Sequence, residues 1–241
     1  MTSSTHRRAL ITGASSGIGR ATAIAFAKSG IDVVLVSRTQ SKLDAVAEDC
    51  RSLGVEAHTC VIDLAQVETI RPQLESFISK VGAIDILVNN AGMGYTGGLA
   101  DMPLSDWQRV LDLNLTSVFQ CIQAVLPGMR SQQRGTIINI ASIAAHQTFP
   151  DWGAYCVSKF GMLALSKTLA AEERQHGIRV VTLSPGSVNT SIWDTETVQA
   201  DFDRSAMLTP DIVADAILQA ATMNDRAVVE EMILMPNAGT F

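Results

Sequence analysis

The 241-residue sequence has no CxxC pair, and none of its four cysteines, Cys50, Cys60, Cys121 and Cys156, stands at a metal-ligand spacing from a histidine. That excludes a sequence-local zinc site and a redox dithiol, so no metal is expected and the cysteines read as reduced, buried side chains of a cytoplasmic protein. Blocks of one charge are also missing. The 18 basic and 24 acidic residues give a formal charge of −6 with no basic patch, so nucleic acid is not an expected partner. No uninterrupted apolar run approaches the roughly 18 residues of a membrane span. Residues 1–8 are polar and lead straight into a strand pattern, without the apolar centre of a secretory signal. A soluble chain with no membrane partner is expected, and 47% apolar residues over this length suit one core and one domain, 1–241.

What the sequence does contain is alternation. Residues 8–12 form a short apolar run that stops at Gly13, the pattern of a strand buried on both faces. Gly13, Ser15, Ser16, Gly17, Ile18 and Gly19 then make a glycine-rich turn, and residues 20–29 continue it at helical spacing. Strand, glycine turn and helix in this order suit a pyrophosphate: the backbone can approach closely and the free N–H groups at the helix start attract the anion. A second strand, 31–37, ends at Arg38. In dinucleotide folds this strand end carries an acid for a ribose 2′-hydroxyl or an arginine for a 2′-phosphate, so Arg38 without an acid points to NADP(H). Helices at 41–53, 66–80, 104–130, 153–175 and 210–223 alternate with strands at 55–62, 84–88, 135–141, 178–183 and 227–234. The expected fold is α/β: a doubly wound Rossmann-type domain with a central parallel sheet of about seven strands and helices on both faces. Between 191 and 208 the period fails and Ile192, Trp193, Phe202 and Met207 mix with acids, which fits either a substrate lid or a short surface helix.

The strand ends carry polar residues where ligands of open α/β sheets bind. Asp63, followed by Leu64, either accepts from an adenine amino group or caps the next helix. Asn90, Ala91 and Gly92 end the fourth strand as a ligand edge or as a plain turn. Asn114, between two leucines of a buried helix, needs hydrogen-bond partners and is otherwise a core asparagine. Ser142 lies just past the fifth strand. Tyr155 and Lys159, four apart, share a helix face with Met162, Leu163 and Ser166. A cation beside a phenol lowers its pKa from near 10.

Thr12-Gly13-x-x-x-Gly17-x-Gly19, Asn89-Asn90-Ala91-Gly92, Ser142, Tyr155-x-x-x-Lys159 and Pro185-Gly186, in this order, resemble the short-chain dehydrogenase/reductase family. The nearest likeness is to its small single-domain members, the bacterial β-ketoacyl-carrier-protein reductases and neighbouring ketone reductases. It runs from Ala9 to about Ile192; the ending Met235-Pro236-Asn237-Ala238-Gly239 departs from the Val-Asp-Gly-Gly ending common in the carrier-protein enzymes and leans toward the ketone reductases. The resemblance implies that Ser142 hydrogen-bonds a substrate carbonyl oxygen and that Tyr155 protonates it. Lys159 would lower the pKa of Tyr155 and hold the nicotinamide ribose, and Asn114 would kink its helix and order a water linked to Lys159. Val188 and Thr190, beyond Pro185 and Gly186, would meet the nicotinamide and phosphates. A homo-oligomer, dimer or tetramer, paired through the helices of Asn114 and Tyr155, is implied as well.

Around the reacting carbon the expected pocket residues are His146, Phe149, Trp152 and Trp193, with Met93 and Tyr95, which suit a small hydrophobic carbonyl substrate. No arginine is evidently placed for a substrate carboxylate. Arg130 and Arg174 face either solvent or an acidic carrier protein. Two other functions stay open: an NADP-binding sensor without turnover, and an extended-branch epimerase or dehydratase, which only about fifty residues after Pro185 disfavour.

Overall fold

The alternating apolar runs fold as one parallel sheet. The computed structural model of the protein describes residues 7–200 and 203–239. Its strands are β1 (Arg8–Thr12), β2 (Asp32–Ser37), β3 (Ala57–Val61), β4 (Ile86–Asn89), β5 (Gly135–Ile140), β6 (Ile178–Pro185) and β7 (Glu231–Leu234). They lie in the order β3-β2-β1-β4-β5-β6-β7, all parallel. Successive strand residues point to opposite faces. Ala9, Ile11, Val33 and Leu35 pack in one apolar cluster with α1 (Gly17–Lys28), α2 (Gln40–Ser52) and α7 (Pro210–Thr222). Leu10, Val34, Val36 and Leu87 pack in the other with α3 (Val67–Val81), α5 (Ser117–Gln132) and α6 (Gly153–Glu173). Burial on both faces is why these strands read as continuous apolar runs.

The chain winds outward in both directions from β1 and β4, so the crevice of the fold opens at their carboxyl ends. Side chains bind those two ends together. The Thr12 hydroxyl accepts from the backbone N–H groups of Asn90 and Ala91, both at 3.0 Å, and the Asn90 amide donates back to the Thr12 carbonyl at 3.0 Å.

Four elements differ from the expected ones. The helix expected over 104–130 is α4 (Leu104–Leu111) and α5, joined by a π-helical turn, Asp112–Thr116, in which the Ser117 N–H bonds to the Asp112 carbonyl. The whole run Leu104–Gln132 has the length and hydropathy of a membrane span, but Val110, Val118, Ile122, Val125 and Met129 are buried in the protein core. The last strand starts at Glu231 rather than 227, because the Arg179 guanidinium collects the carbonyls of Met223, Asn224 and Ala227 and holds that stretch as a turn. The third strand, expected over 55–62, is the sheet edge and is shortened to Ala57–Val61. Segment 191–208 contains two tight helical turns, Ser191–Asp194 and Arg204–Ala206, and Val188 pairs with Leu208 across its base. Phe202 lies outside the described residues.

Thr12→Val keeps the shape of the side chain but leaves two backbone N–H groups without their acceptor. It is expected to lower stability by about 1–3 kcal/mol, read as a fall in the urea midpoint at unchanged m-value. An unchanged midpoint would show that the clamp carries no weight.

Candidate active site

The carboxyl ends of the strands open on a cleft of about 790 Å³. One end is a cradle of bare backbone. A Cβ on Gly19 would lie 2.3 Å from the Gly13 carbonyl oxygen and 2.6 Å from the Asn90 amide nitrogen, so only glycine fits. Gly13 has φ +66° and the same lack of room. Gly13, Ser15, Ser16, Gly17 and Ile18 line the cleft, whereas Gly19, expected at the cofactor, is buried behind them and shapes the turn. Ser16, the N-cap of α1, makes no side-chain cap bond, so its hydroxyl does not claim the N–H groups of the first turn. This is a fit for a pyrophosphate.

Arg38 lines the cleft past β2, and so does Lys42, which lies four residues on in the first turn of α2. Lys42 was not foreseen from the sequence; its spacing from Arg38 was the available signal. Asp63 and Leu64 line the cleft as expected, with Asp63 also accepting from the Ala65 N–H at 3.0 Å. That bond makes a local turn; the N-cap of α3 is Gln66, not Asp63. Ala91, Gly92, Pro185, Gly186, Val188 and Thr190 line it too. Asn90 reaches the cleft, but its amide is turned back to brace the glycine turn.

Ser142, Tyr155 and Lys159 converge on the middle of the cleft. The Ser142 oxygen accepts from the Ala144 N–H at 3.1 Å at the head of a short helical turn, Ile143–Ala145, and Ser142 also hydrogen-bonds the Tyr155 phenol. Lys159 is 5% exposed and donates to the Ile140 carbonyl at 2.9 Å, with its ammonium 5.6 Å from the Tyr155 ring centre. Burial pushes its pKa down to about 8. The Tyr155 pKa is raised by burial, partly opposed by the Ser142 hydrogen bond. Burial is the larger cause, so the phenol lies above its ordinary value with the Lys159 ammonium beside it donating to the Ile140 carbonyl.

Asn114 does not line the cleft. It is fully buried in the π-turn, where its carbonyl accepts from the Met93 N–H at 2.8 Å and its amide donates to the Met93 carbonyl at 2.9 Å and the Ser158 hydroxyl at 3.1 Å. Its side chain is thereby committed to holding the β4 exit against α6.

With this geometry in hand, comparison with known proteins is decisive. Residues 7–201 match the sequence profile described as short chain dehydrogenase. The chain belongs to this family. It is 35% identical over 238 residues to a sepiapterin reductase of Chlorobaculum tepidum, covering 95% of this chain and 96% of that one. It is 39% identical over 202 residues to a 3-oxoacyl-[acyl-carrier-protein] reductase of Synechocystis sp., covering 83% and 81%. A metagenomic short-chain oxidoreductase solved with NADP superposes with a TM-score of 0.84 at 34% identity, covering 96% of this chain and 97% of that one.

In this short-chain dehydrogenase the cleft continues beyond Ser142 and Tyr155 into an apolar and aromatic end. Met93, Phe149, Trp152 and Trp193 line the cleft as expected, joined by Ile143, Ile192, Asp194 and Glu196. Trp152 meets Tyr155 edge-on at 5.4 Å and Trp193 at 5.9 Å. Two expected pocket residues point elsewhere. His146 is held by Ser184 at 2.9 Å and Glu231 at 3.4 Å, and the Tyr95 hydroxyl donates to Asp106 at 2.9 Å. Arg109, on α4, lines the cleft although no arginine was expected there. Segment 191–200 is clasped to the loop after β4: Thr96 N–H to the Thr197 carbonyl, Thr197 hydroxyl to the Gly94 carbonyl and Gln199 N–H to the Thr96 hydroxyl, each 2.8 Å.

Burying the Lys159 ammonium costs stability wherever the folded lysine is charged, that is, below about pH 8. Between about 8 and the model-peptide value of 10.5 the unfolded chain binds the extra proton, so the cost is relieved as pH rises. Relative to Lys159→Met, the wild type is expected to gain up to about 1.4 kcal/mol per pH unit in that window. Urea midpoints of both proteins at pH 7.5 and 10 measure it; a gap independent of pH contradicts the burial of the charge.

Proposed function

We propose that this short-chain dehydrogenase is an NADPH-dependent reductase that converts a free ketone to a secondary alcohol. The observation that carries this reading is the convergence of Ser142, Tyr155 and Lys159 beside a glycine cradle, with the phenol biased toward its protonated form. A phenol that keeps its proton at neutral pH is set to donate it, which favours reduction over oxidation.

The cofactor is NADP(H). Gly13, Gly17 and the start of α1 hold its pyrophosphate, Arg38 and Lys42 answer its 2′-phosphate, and Lys159 faces its nicotinamide ribose. When bound, the reduced cofactor supplies a hydride to the carbonyl carbon. Ser142 donates a hydrogen bond to the carbonyl oxygen as negative charge develops there, a role left open by its accepting bond from Ala144. Tyr155 transfers the phenolic proton to the same oxygen. Lys159, still largely protonated at pH 7, stabilises the phenolate left behind. Asn114 acts through Ser158, whose hydroxyl also donates to the Tyr155 carbonyl at 2.7 Å, and so fixes the height of α6.

A 3-oxoacyl carrier-protein reductase is the competing reading, supported by the Synechocystis relative. Against it, the two arginines considered for an acidic carrier are engaged: Arg130 pairs through two nitrogens with Glu173, and Arg174 pairs with Glu230 at 3.0 Å. A cofactor sensor would not need all three reacting groups at one point.

We also propose that the chain pairs with itself through α5 and α6, where Phe119, Val157 and Phe160 stand 42%, 46% and 42% exposed. A soluble monomer gains nothing from such apolar exposure.

In steady-state assays the wild type should use NADPH at least tenfold more efficiently than NADH, and Tyr155→Phe should lose about 10²–10⁴-fold in kcat while binding NADPH normally. Near-wild-type ketone reduction by Tyr155→Phe would refute the mechanism. For assembly, sedimentation velocity should show a dimer or tetramer that Phe160→Glu weakens; a wild-type monomer at micromolar concentration would rule out the interface.

A further inference from the structure

Charge is divided along the cleft. Arg38 and Lys42 stand past β2 with the cofactor elements, and Arg109 lines the cleft from α4. Lys159 is buried at the reaction centre on the Ile140 carbonyl. The three segments at the other end, 91–97, 142–158 and 185–200, contain no lysine and no arginine, and Arg204, just past the third, is paired with Asp194. Their one histidine, His146, is turned to Ser184 and Glu231.

What lines that end instead is aromatic and acidic. Phe149, Trp152 and Trp193 form its wall, and the Trp193 indole is held by a 2.8 Å bond from its N–H to the Val188 carbonyl. Asp194 and Glu196 stand at the rim. Asp194 is bound by Arg204 at 2.7 Å, while Glu196 makes no ion pair among the described residues. Aromatic faces attract cations, most strongly where water is displaced. A carboxylate at the rim of a half-enclosed cleft adds to that attraction and repels an anion. None of these three segments offers a substrate carboxylate or phosphate a positive side chain.

We propose that the substrate end selects ketones that carry an ammonium group near the carbonyl, over neutral ketones of the same shape and over carboxylates. This rests on the ketone reductase reading and names the substrate class of that site. Trp152 and Trp193 hold the cation against their rings, and Glu196 supplies the countercharge. The same charge pattern turns away acyl groups delivered on acidic carriers or phosphate-bearing thioesters.

The test is kcat/KM with saturating NADPH for (2-oxopropyl)trimethylammonium, its uncharged isostere 4,4-dimethylpentan-2-one, and 4-oxopentanoate. The ammonium ketone is expected to exceed its isostere by about tenfold or more and the carboxylate to fall below it, with the first gap shrinking as salt is added. Glu196→Gln should close the gap between cation and isostere by about threefold or more, and Trp193→Leu should narrow it further, whereas Arg109→Gln should leave the order of the three unchanged. Turnover of the neutral ketone with no advantage for the cation overturns the proposal and leaves the reductase reading standing, as does a carboxylate preference that Arg109→Gln removes. No turnover of any of the three overturns both.

Discussion

The catalytic edge depends on how closely the exits of β1 and β4 approach one another. With no room for a Cβ at Gly13 or Gly19, the glycine turn lies against Asn90, and the Thr12 hydroxyl closes the seam from the other side. From that seam a line of hydrogen bonds reaches the reacting groups. Asn90 leads to Met93, whose backbone is gripped on both sides by Asn114; Asn114 holds Ser158, and Ser158 lies between Tyr155 and Lys159 on α6. A Cβ on Gly92 would stand 3.1 Å from the Asn114 carbonyl oxygen and 3.9 Å from the Lys159 nitrogen. The cofactor cradle and the proton donor are thus placed by one contiguous set of backbone positions.

Burial then sets the electrostatics. Tyr155 and Lys159 are both driven toward their neutral forms, the phenol upward and the ammonium down to about 8. The two shifts have opposite consequences at neutral pH. Tyr155 retains its proton, and Lys159 retains most of its charge because about 8 is still above 7. A donor that is protonated beside a cation that can receive its negative charge is the arrangement reduction needs.

The sheet was legible because its inner strands are buried on both faces and write themselves as short apolar runs. β7, an edge strand, is half exposed, so its start was misplaced; Arg179, forty-odd residues away in sequence, decides where it begins. Ser142, Tyr155 and the glycine turn were legible from type and spacing. Asn114 was found but its task was not, since its partners Met93 and Ser158 come from two distant segments. Lys42 and Arg109 were missed because a surface lysine and arginine on helices carry no sequence mark of the cleft they face. His146 and Tyr95 were assigned to the pocket by proximity in sequence, but a hydrogen-bond partner outside it claimed each of them.

Segment 191–208 is the least patterned stretch, yet it is tied to the loop that Asn114 holds. Residues 93–97 serve both: Asn114 pins Met93, while Gly94 and Thr96 clasp Thr197 and Gln199 of that segment. These clasping bonds are formed by backbone groups and two threonine hydroxyls. The cleft-lining side chains of Asp194 and Glu196 are not among these three bonds. The side chains of Asp194 and Glu196 can therefore change without removing a clasping bond. That separation explains how a fold with a fixed reaction centre can leave substrate choice to the segment whose sequence is hardest to read.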